Sequence, residues 1–223
     1  MKDKKRKRAK LFSFKYFIYD FIKFTAAIPG LIWIRPKKMY ISKTAKKKIS
    51  GGALLISNHF GFFDEIYLML SIWYRRHHFV ATQEFFEGKF KNFLFHSFLC
   101  IPIDKNNWGM SSFREIVSHL TKEELVVIFP EGGLNADKSG SVNAFKSGMV
   151  LMSAQSGKPI IPVYIKKKKR FYNRVRVAIG EPINVRERYS HMPNVVQMEE
   201  ISKLLHDKEE ELRVLAEGGK NEK

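Results

Sequence analysis

Ala53-Leu54-Leu55-Ile56-Ser57-Asn58-His59-Phe60-Gly61-Phe62-Phe63-Asp64 holds the transition that decides the fold. Its first four residues are apolar and Ser57 follows, the pattern of a buried strand over Ala53–Ser57. Asn58 and His59 fall in the loop at the end of that strand, and Asp64 opens a helix. Over Phe63–Tyr74 the residues Ile66, Leu70 and Trp73 share one face, which predicts that helix. A chain folding back over the loop can bring His59 and Asp64 together. Imidazole is the side chain best suited to general-base work near neutral pH. A carboxylate on its other ring nitrogen fixes the tautomer and stabilises the imidazolium that forms.

The alternation of strand and helix continues downstream. His78–Ala81 predicts a strand, Gly88–Leu99 a helix, Cys100–Ile103 a short strand, and Ser111–Leu120 a helix capped by Ser111. Leu125–Phe129 is an apolar, β-branched strand ended by Pro130. Phe145–Ser156 predicts a helix stopped at Gly157, followed by strands at Ile160–Ile165 and Arg174–Ile179. Asn194 and Gln197 have the spacing of a capping box. They open a last amphipathic helix, about 194–216, bearing Met198, Ile201, Leu205, Leu212 and Leu215. There is no internal repeat and no Gly/Ser linker. The pattern predicts an α/β class: one domain over residues 36–223, with a largely parallel central sheet flanked by helices.

The 223 residues suffice for one domain with its own core, and 44% hydrophobic with 13% aromatic content excludes a disordered chain. Forty basic against 22 acidic residues leave a net charge of +18, which calls for an anionic partner: membrane lipid, nucleic acid or an acidic protein. Residues 2–10 hold seven basic side chains and one acid, Asp3. The aromatic residues Phe12, Phe14, Tyr16, Phe17, Tyr19, Phe21 and Phe24 follow, so residues 1–35 predict a basic tail and membrane-binding helices. Each basic residue near an anionic leaflet contributes about 1 kcal/mol at most. Lys15, Asp20 and Lys23 interrupt the apolar stretch, which argues against a cleaved signal peptide and against a membrane span. Leu11 to Ile34 reads instead as an interfacial helix or helix pair, broken at Pro29-Gly30. Nucleic-acid-binding motifs are missing, and the basic residues lie largely in tails and loops, so no nucleic-acid partner is expected. Cys100 stands alone, which excludes an intramolecular disulfide and fits a reducing compartment.

In open α/β sheets function gathers at the carboxyl ends of strands. Asn58-His59 with Asp64, Ile103-Asp104-Lys105, and Phe129-Pro130-Glu131-Gly132-Gly133 all fall there, and Ile160-Ile161-Pro162-Val163 supplies an apolar wall. Taken singly, each piece is as well explained by a structural role. In this order they resemble the glycerolipid acyltransferase family, specifically its 1-acyl-glycerol-3-phosphate acyltransferases. The first motif of that family, Asn-His and four residues later Asp, matches at Asn58, His59 and Asp64. The third, Phe-Pro-Glu-Gly, matches at Phe129 to Gly132, and the hydrophobic-Pro-Val fourth matches at Ile161 to Val163. Phe145-Lys146-x-Gly148 is similar to the stretch between motifs three and four. The likeness spans roughly residues 50–185 and is carried by the ordered set.

The resemblance implies transfer of an acyl group from an acyl thioester, acyl-CoA or acyl-acyl carrier protein, to the free hydroxyl of a lysophospholipid acceptor. It implies His59 as base, Asp64 as its orienting acid, Glu131 and Gly132 around the acceptor's glycerol, and Lys105 on its phosphate. Asn58, Pro130 and Pro162 would support the motifs, and neither a metal nor a cofactor is implied. A peripheral or monotopic place on the cytoplasmic face of the cell membrane follows. Two departures bear on the acceptor. Lys105 stands where the family has arginine, and Gly133-Leu134 where it has Thr-Arg. Lysine keeps charge but loses the bidentate fork, and Lys146 and Lys138 are candidate replacements. Another lysolipid, glycerol 3-phosphate, or a non-catalytic membrane adaptor are the alternatives. His77, His78, His96, His119, His191 and His206 read as scattered structural or surface residues.

Overall fold

The computed structural model describes residues 16–61, 63–104, 110–130, 148–166, 174–189 and 192–218. Among them, seven strands form one sheet: β1 (Lys37–Tyr40), β2 (Ala53–Ser57), β3 (His77–Thr82), β4 (Ile101–Ile103), β5 (Leu125–Ile128), β6 (Ile160–Lys166) and β7 (Arg176–Ile179). Their spatial order is β1-β7-β6-β2-β5-β3-β4. β2, β3, β4, β5 and β6 run parallel, as expected. β7 pairs antiparallel with β6, and β1 runs parallel to β7. β1 is a strand that the sequence reading did not foresee. Lys37 and Lys38 are exposed and Met39 and Tyr40 only half-buried, so it lacks the apolar run that marks β2 and β5.

Every residue of β2 and of β5 is buried. Successive side chains point to opposite faces of a strand, so both faces must be covered. Leu55 and Val127 enter a core with Leu68, Leu70, Phe79, Ile161 and Val177 on one face. Leu54, Ile56, Val126 and Ile128 enter the other, with Ile116, Leu120, Met152 and Leu205.

Seven helices complete the described fold: α1 (Phe17–Ile34), α2 (Asp64–Ser71), α3 (Lys89–Ser97), α4 (Met110–Thr121), α5 (Gly148–Ser156), α6 (Val185–Arg188) and α7 (Val195–Glu217). A 3₁₀ turn spans Gln83–Phe86. The capping box is present at the start of α7. The Asn194 side chain accepts from the Gln197 N–H at 2.9 Å, and the Gln197 side chain accepts from the Asn194 N–H at 3.0 Å. α2 stops at Ser71 rather than running to Tyr74, so Trp73 lies outside it.

α1 corrects the expected break at Pro29-Gly30. The helix continues through Pro29 and bends by 41° between Phe17–Thr25 and Ala27–Ile34. A proline ring crowds the carbonyl four residues back, here Thr25, and cannot donate to it, which places the bend one turn earlier. Gly30 serves close packing instead: a Cβ there would stand 3.2 Å from Leu70 Cδ1 on α2. Among the described residues no single helix is long and apolar enough to cross a membrane, although the bent pair passes by length and composition.

Candidate active site

The site is built where β2 ends. Asn58 is buried, and its side chain behaves as one more rung of the sheet. Its Nδ2 donates to the Ile165 carbonyl at 3.0 Å and its Oδ1 accepts from the Ile165 N–H at 2.7 Å. This pair ties the end of β2 to β6 and fixes the direction in which the chain leaves the sheet. Without it, a buried N–H and a buried carbonyl lose their partner, at about 1–3 kcal/mol each. Asn58→Ala is therefore expected to cost about 2–6 kcal/mol of stability, read as the shift of the denaturant midpoint at unchanged slope.

Asp64 is the first residue of α2 and is completely buried. Its Oδ2 gathers three donors: the Phe60 N–H at 2.5 Å, the Gly61 N–H at 2.7 Å and His59 Nδ1 at 3.1 Å. One carboxylate oxygen thus closes the loop and catches the imidazole. Because a carboxylate only accepts, Nδ1 carries the proton toward Asp64 and Nε2 keeps its lone pair. The His59 side chain is 18% exposed. Its ring stacks on Phe129 at the end of β5, with centroids 4.1 Å apart and planes 21° apart. The helix positions the acid, the strand end positions the histidine, and Phe129 fixes the ring plane.

This arrangement can take a proton from a hydroxyl at Nε2 and hold the resulting imidazolium against Asp64. Glu65, which the sequence reading did not single out, is a second carboxylate here. Burial holds its carboxyl above the ordinary range, against the opposing charge of a protonated His59. The signal available was only its place next to Asp64. Burial likewise pushes the Cys100 thiol up to about 12, which keeps it protonated and unreactive near neutral pH.

Pro130 is buried beside this end of β5, and Pro162 lies inside β6 opposite Ile56. Its carbonyl accepts from the Gly180 N–H at 2.9 Å. Lys105, Glu131, Gly132, Leu134, Lys138 and Lys146 lie outside the described residues. A groove of about 1090 Å³ opens elsewhere, between the start of α1 and α3, lined by Phe17, Tyr19, Phe86, Phe93 and Leu99 and by none of the residues around His59. The histidines are less scattered than expected. His78 and His119 meet over Glu124, with ring centroids 4.7 Å apart. Their sequence separation hid this, because only the pairing of β3 with β5 brings them together.

Three likenesses bear on the whole. The chain is 24% identical over 166 residues to the 1-acyl-sn-glycerol-3-phosphate acyltransferase of Bacillus subtilis (strain 168), covering 72% of this chain and 81% of that one. Its fold resembles the crystal structure of the 1-acyl-sn-glycerophosphate (LPA) acyltransferase PlsC from Thermotoga maritima. The TM-score is 0.62 at 19% identity, over 90% of this chain and 80% of that chain. Residues 37–166, from β1 to the end of β6, match the Acyltransferase family, and this protein belongs to that family.

Proposed function

We propose that this acyltransferase moves a fatty acyl group from an acyl thioester, acyl-CoA or acyl-acyl carrier protein, to the free hydroxyl of 1-acylglycerol 3-phosphate. The product is phosphatidic acid, a precursor of phospholipids. The observation that carries the chemistry is the His59 Nδ1 to Asp64 Oδ2 contact at 3.1 Å, with the same oxygen held by two backbone N–H groups. His59 Nε2 takes the hydroxyl proton as that oxygen attacks the thioester carbonyl. The tetrahedral intermediate then expels the thiolate, and the proton on His59 neutralises it. The acceptor oxygen is itself the nucleophile, so no acyl-enzyme forms. Glu131 and Gly132 orient the glycerol, and Lys105, with Lys146, meets the phosphate. The name of the Bacillus subtilis relative supports the choice of acceptor.

The lipid substrate argues for a place on the membrane. α1 exposes Phe21, Ile28, Ile32 and Trp33, and α3 exposes Phe90 and Phe93 while burying none of its residues. Apolar aromatic surface of this kind is costly in water and gains by insertion at the lipid interface. The basic residues 2–10 precede α1 in sequence and add attraction to an anionic leaflet. Residues 1–35 are on this reading the membrane-binding unit, and residues 36–223 the catalytic domain on the cytoplasmic face. α1 packs on α2 through Gly30 and Leu70, and α2 carries Asp64, so the lipid-facing helix and the site share one helix.

The test is an acyl-transfer assay on lipid vesicles offering lysophosphatidate, glycerol 3-phosphate and neutral lysolipids in parallel. Lysophosphatidate is expected to give the highest kcat/KM. A preference for a phosphate-free acceptor would overturn the substrate and leave acyl transfer standing.

A further inference from the structure

At the opposite end of the sheet three side chains of metal-ligating type converge from three elements. His78 is the second residue of β3, His119 lies in the last turn of α4, and Glu124 immediately precedes β5. His78 pairs in register with Val126, and Val126 with Leu54. Leu54 lies five residues before His59 in sequence, which puts the cluster roughly 16 Å from the catalytic histidine along the strand direction.

Glu124 Oε2 stands 2.5 Å from His119 Nδ1 and 3.6 Å from His78 Nε2. One ligand atom from each of the three residues lies within 4.8 Å of the others. Ligand atoms around a tetrahedral ion with bonds of about 2.1 Å are roughly 3.4 Å apart. The 3.6 Å contact matches that value and is too long for a hydrogen bond, whereas His119 Nδ1 and Glu124 Oε2 are hydrogen-bonded and would part by about 1 Å to share an ion. The other carboxylate oxygen is occupied: Tyr16 Oη donates to Glu124 Oε1 at 3.3 Å. This hydrogen bond turns Oε2 toward the two imidazoles, the outer-shell orientation that ligating carboxylates need. His78 is buried, whereas His119 and Glu124 are about a quarter exposed, which leaves an entry path and room for water.

The donor set selects the ion. Two imidazoles and one carboxylate suit zinc and its borderline neighbours, while magnesium and calcium prefer oxygen alone. Arg75 is nearby, its guanidinium donating to the carbonyls of Ile49 at 3.2 Å and Glu123 at 2.9 Å. Its charge opposes any cation, which disfavours hard ions held by electrostatics alone and leaves ions that bond imidazole strongly.

We propose that His78, His119 and Glu124 form a site for a zinc-class divalent ion, with water in the fourth position. The ion ties β3, the end of α4 and the start of β5 into one unit. Through Tyr16 it also secures the foot of α1. Its place at the amino ends of the strands, away from His59, sets it apart from the acyl-transfer site.

The test uses the untagged 223-residue chain, stripped with chelator and dialysed. Co²⁺ is titrated while the visible ligand-field bands are recorded, and Zn²⁺ is then added. The expected result is one equivalent of Co²⁺, displaced by one equivalent of Zn²⁺, with a rise in Tm on Zn²⁺ addition. His119→Ala and Glu124→Gln should each weaken binding by at least about 10-fold, and His59→Ala should leave it unchanged. Absence of Co²⁺ uptake by the wild type overturns the site. So does uptake that survives both substitutions, or uptake that disappears in His59→Ala. Should His119→Ala fail to fold, the wild-type titration and Glu124→Gln decide alone.

Discussion

His59→Ala is expected to lower kcat for acyl transfer by about 10²–10⁴-fold, the usual worth of a positioned general base. The protein should remain folded. Asp64 keeps the Phe60 and Gly61 N–H groups when the imidazole is removed, so its buried charge stays hydrogen-bonded. The lost stack on Phe129 is worth about 0.5–1.5 kcal/mol, a small drop in Tm. Rate and stability are thus separable in this variant. KM for the acceptor should change little, because on the proposed mechanism the histidine acts on the hydroxyl proton in the transition state rather than on the bound lipid. The residual rate belongs to positioning and to donors at the developing oxyanion. Steady-state kinetics on vesicles with circular dichroism of the same preparations provides the check. Near-normal kcat in a folded His59→Ala protein would remove His59 from the mechanism.

The parts of the fold legible in the sequence are those where both faces of a strand must be covered. β2, β5 and β6 are continuous apolar runs because the sheet there is sandwiched, and the run itself implies helices on either side. The His59 and Asp64 pair was legible for a related reason: a loop at a strand end, closed by the first residue of a helix, has few ways to fold. What stayed hidden depends on pairing between distant segments. β1 is an edge strand whose residues carry no apolar pattern, and only β7 defines it. The antiparallel pairing of β7 with β6, by contrast, was open to reading, because the short, helix-free link between the two predicted strands is too brief for a parallel crossover. Phe129 over the His59 ring and the meeting of His78 with His119 both require β5 to lie between β2 and β3. The α1 bend was misplaced by one turn because the sequence locates the proline, while the clash it causes falls on a carbonyl four residues earlier.

Asp64→Asn distinguishes two jobs of the acid. Oδ2 takes all three donors, and Oδ1 has no hydrogen-bond partner among the described residues. An amide nitrogen in the place of Oδ2 would face two backbone N–H groups, so the amide oxygen must sit there. That oxygen still accepts from His59 Nδ1–H, and the tautomer with Nε2 free survives. What disappears is the negative charge that stabilises the imidazolium. A charge-assisted hydrogen bond is worth about 1.5–3 kcal/mol, so kcat/KM should fall roughly 10–150-fold. The amide nitrogen takes the place of Oδ1, and an unsatisfied buried donor should cost about 1–3 kcal/mol of stability. Asp64→Ala removes orientation and charge together and should approach the His59→Ala loss of about 10²–10⁴-fold. The ordering is the result to measure: Asn well above Ala in kcat/KM, both below wild type. If Asp64→Asn were as impaired as His59→Ala while still folded, the amide would have turned its nitrogen toward the imidazole. The loop N–H groups of Phe60 and Gly61 would then not hold the acid as the geometry demands.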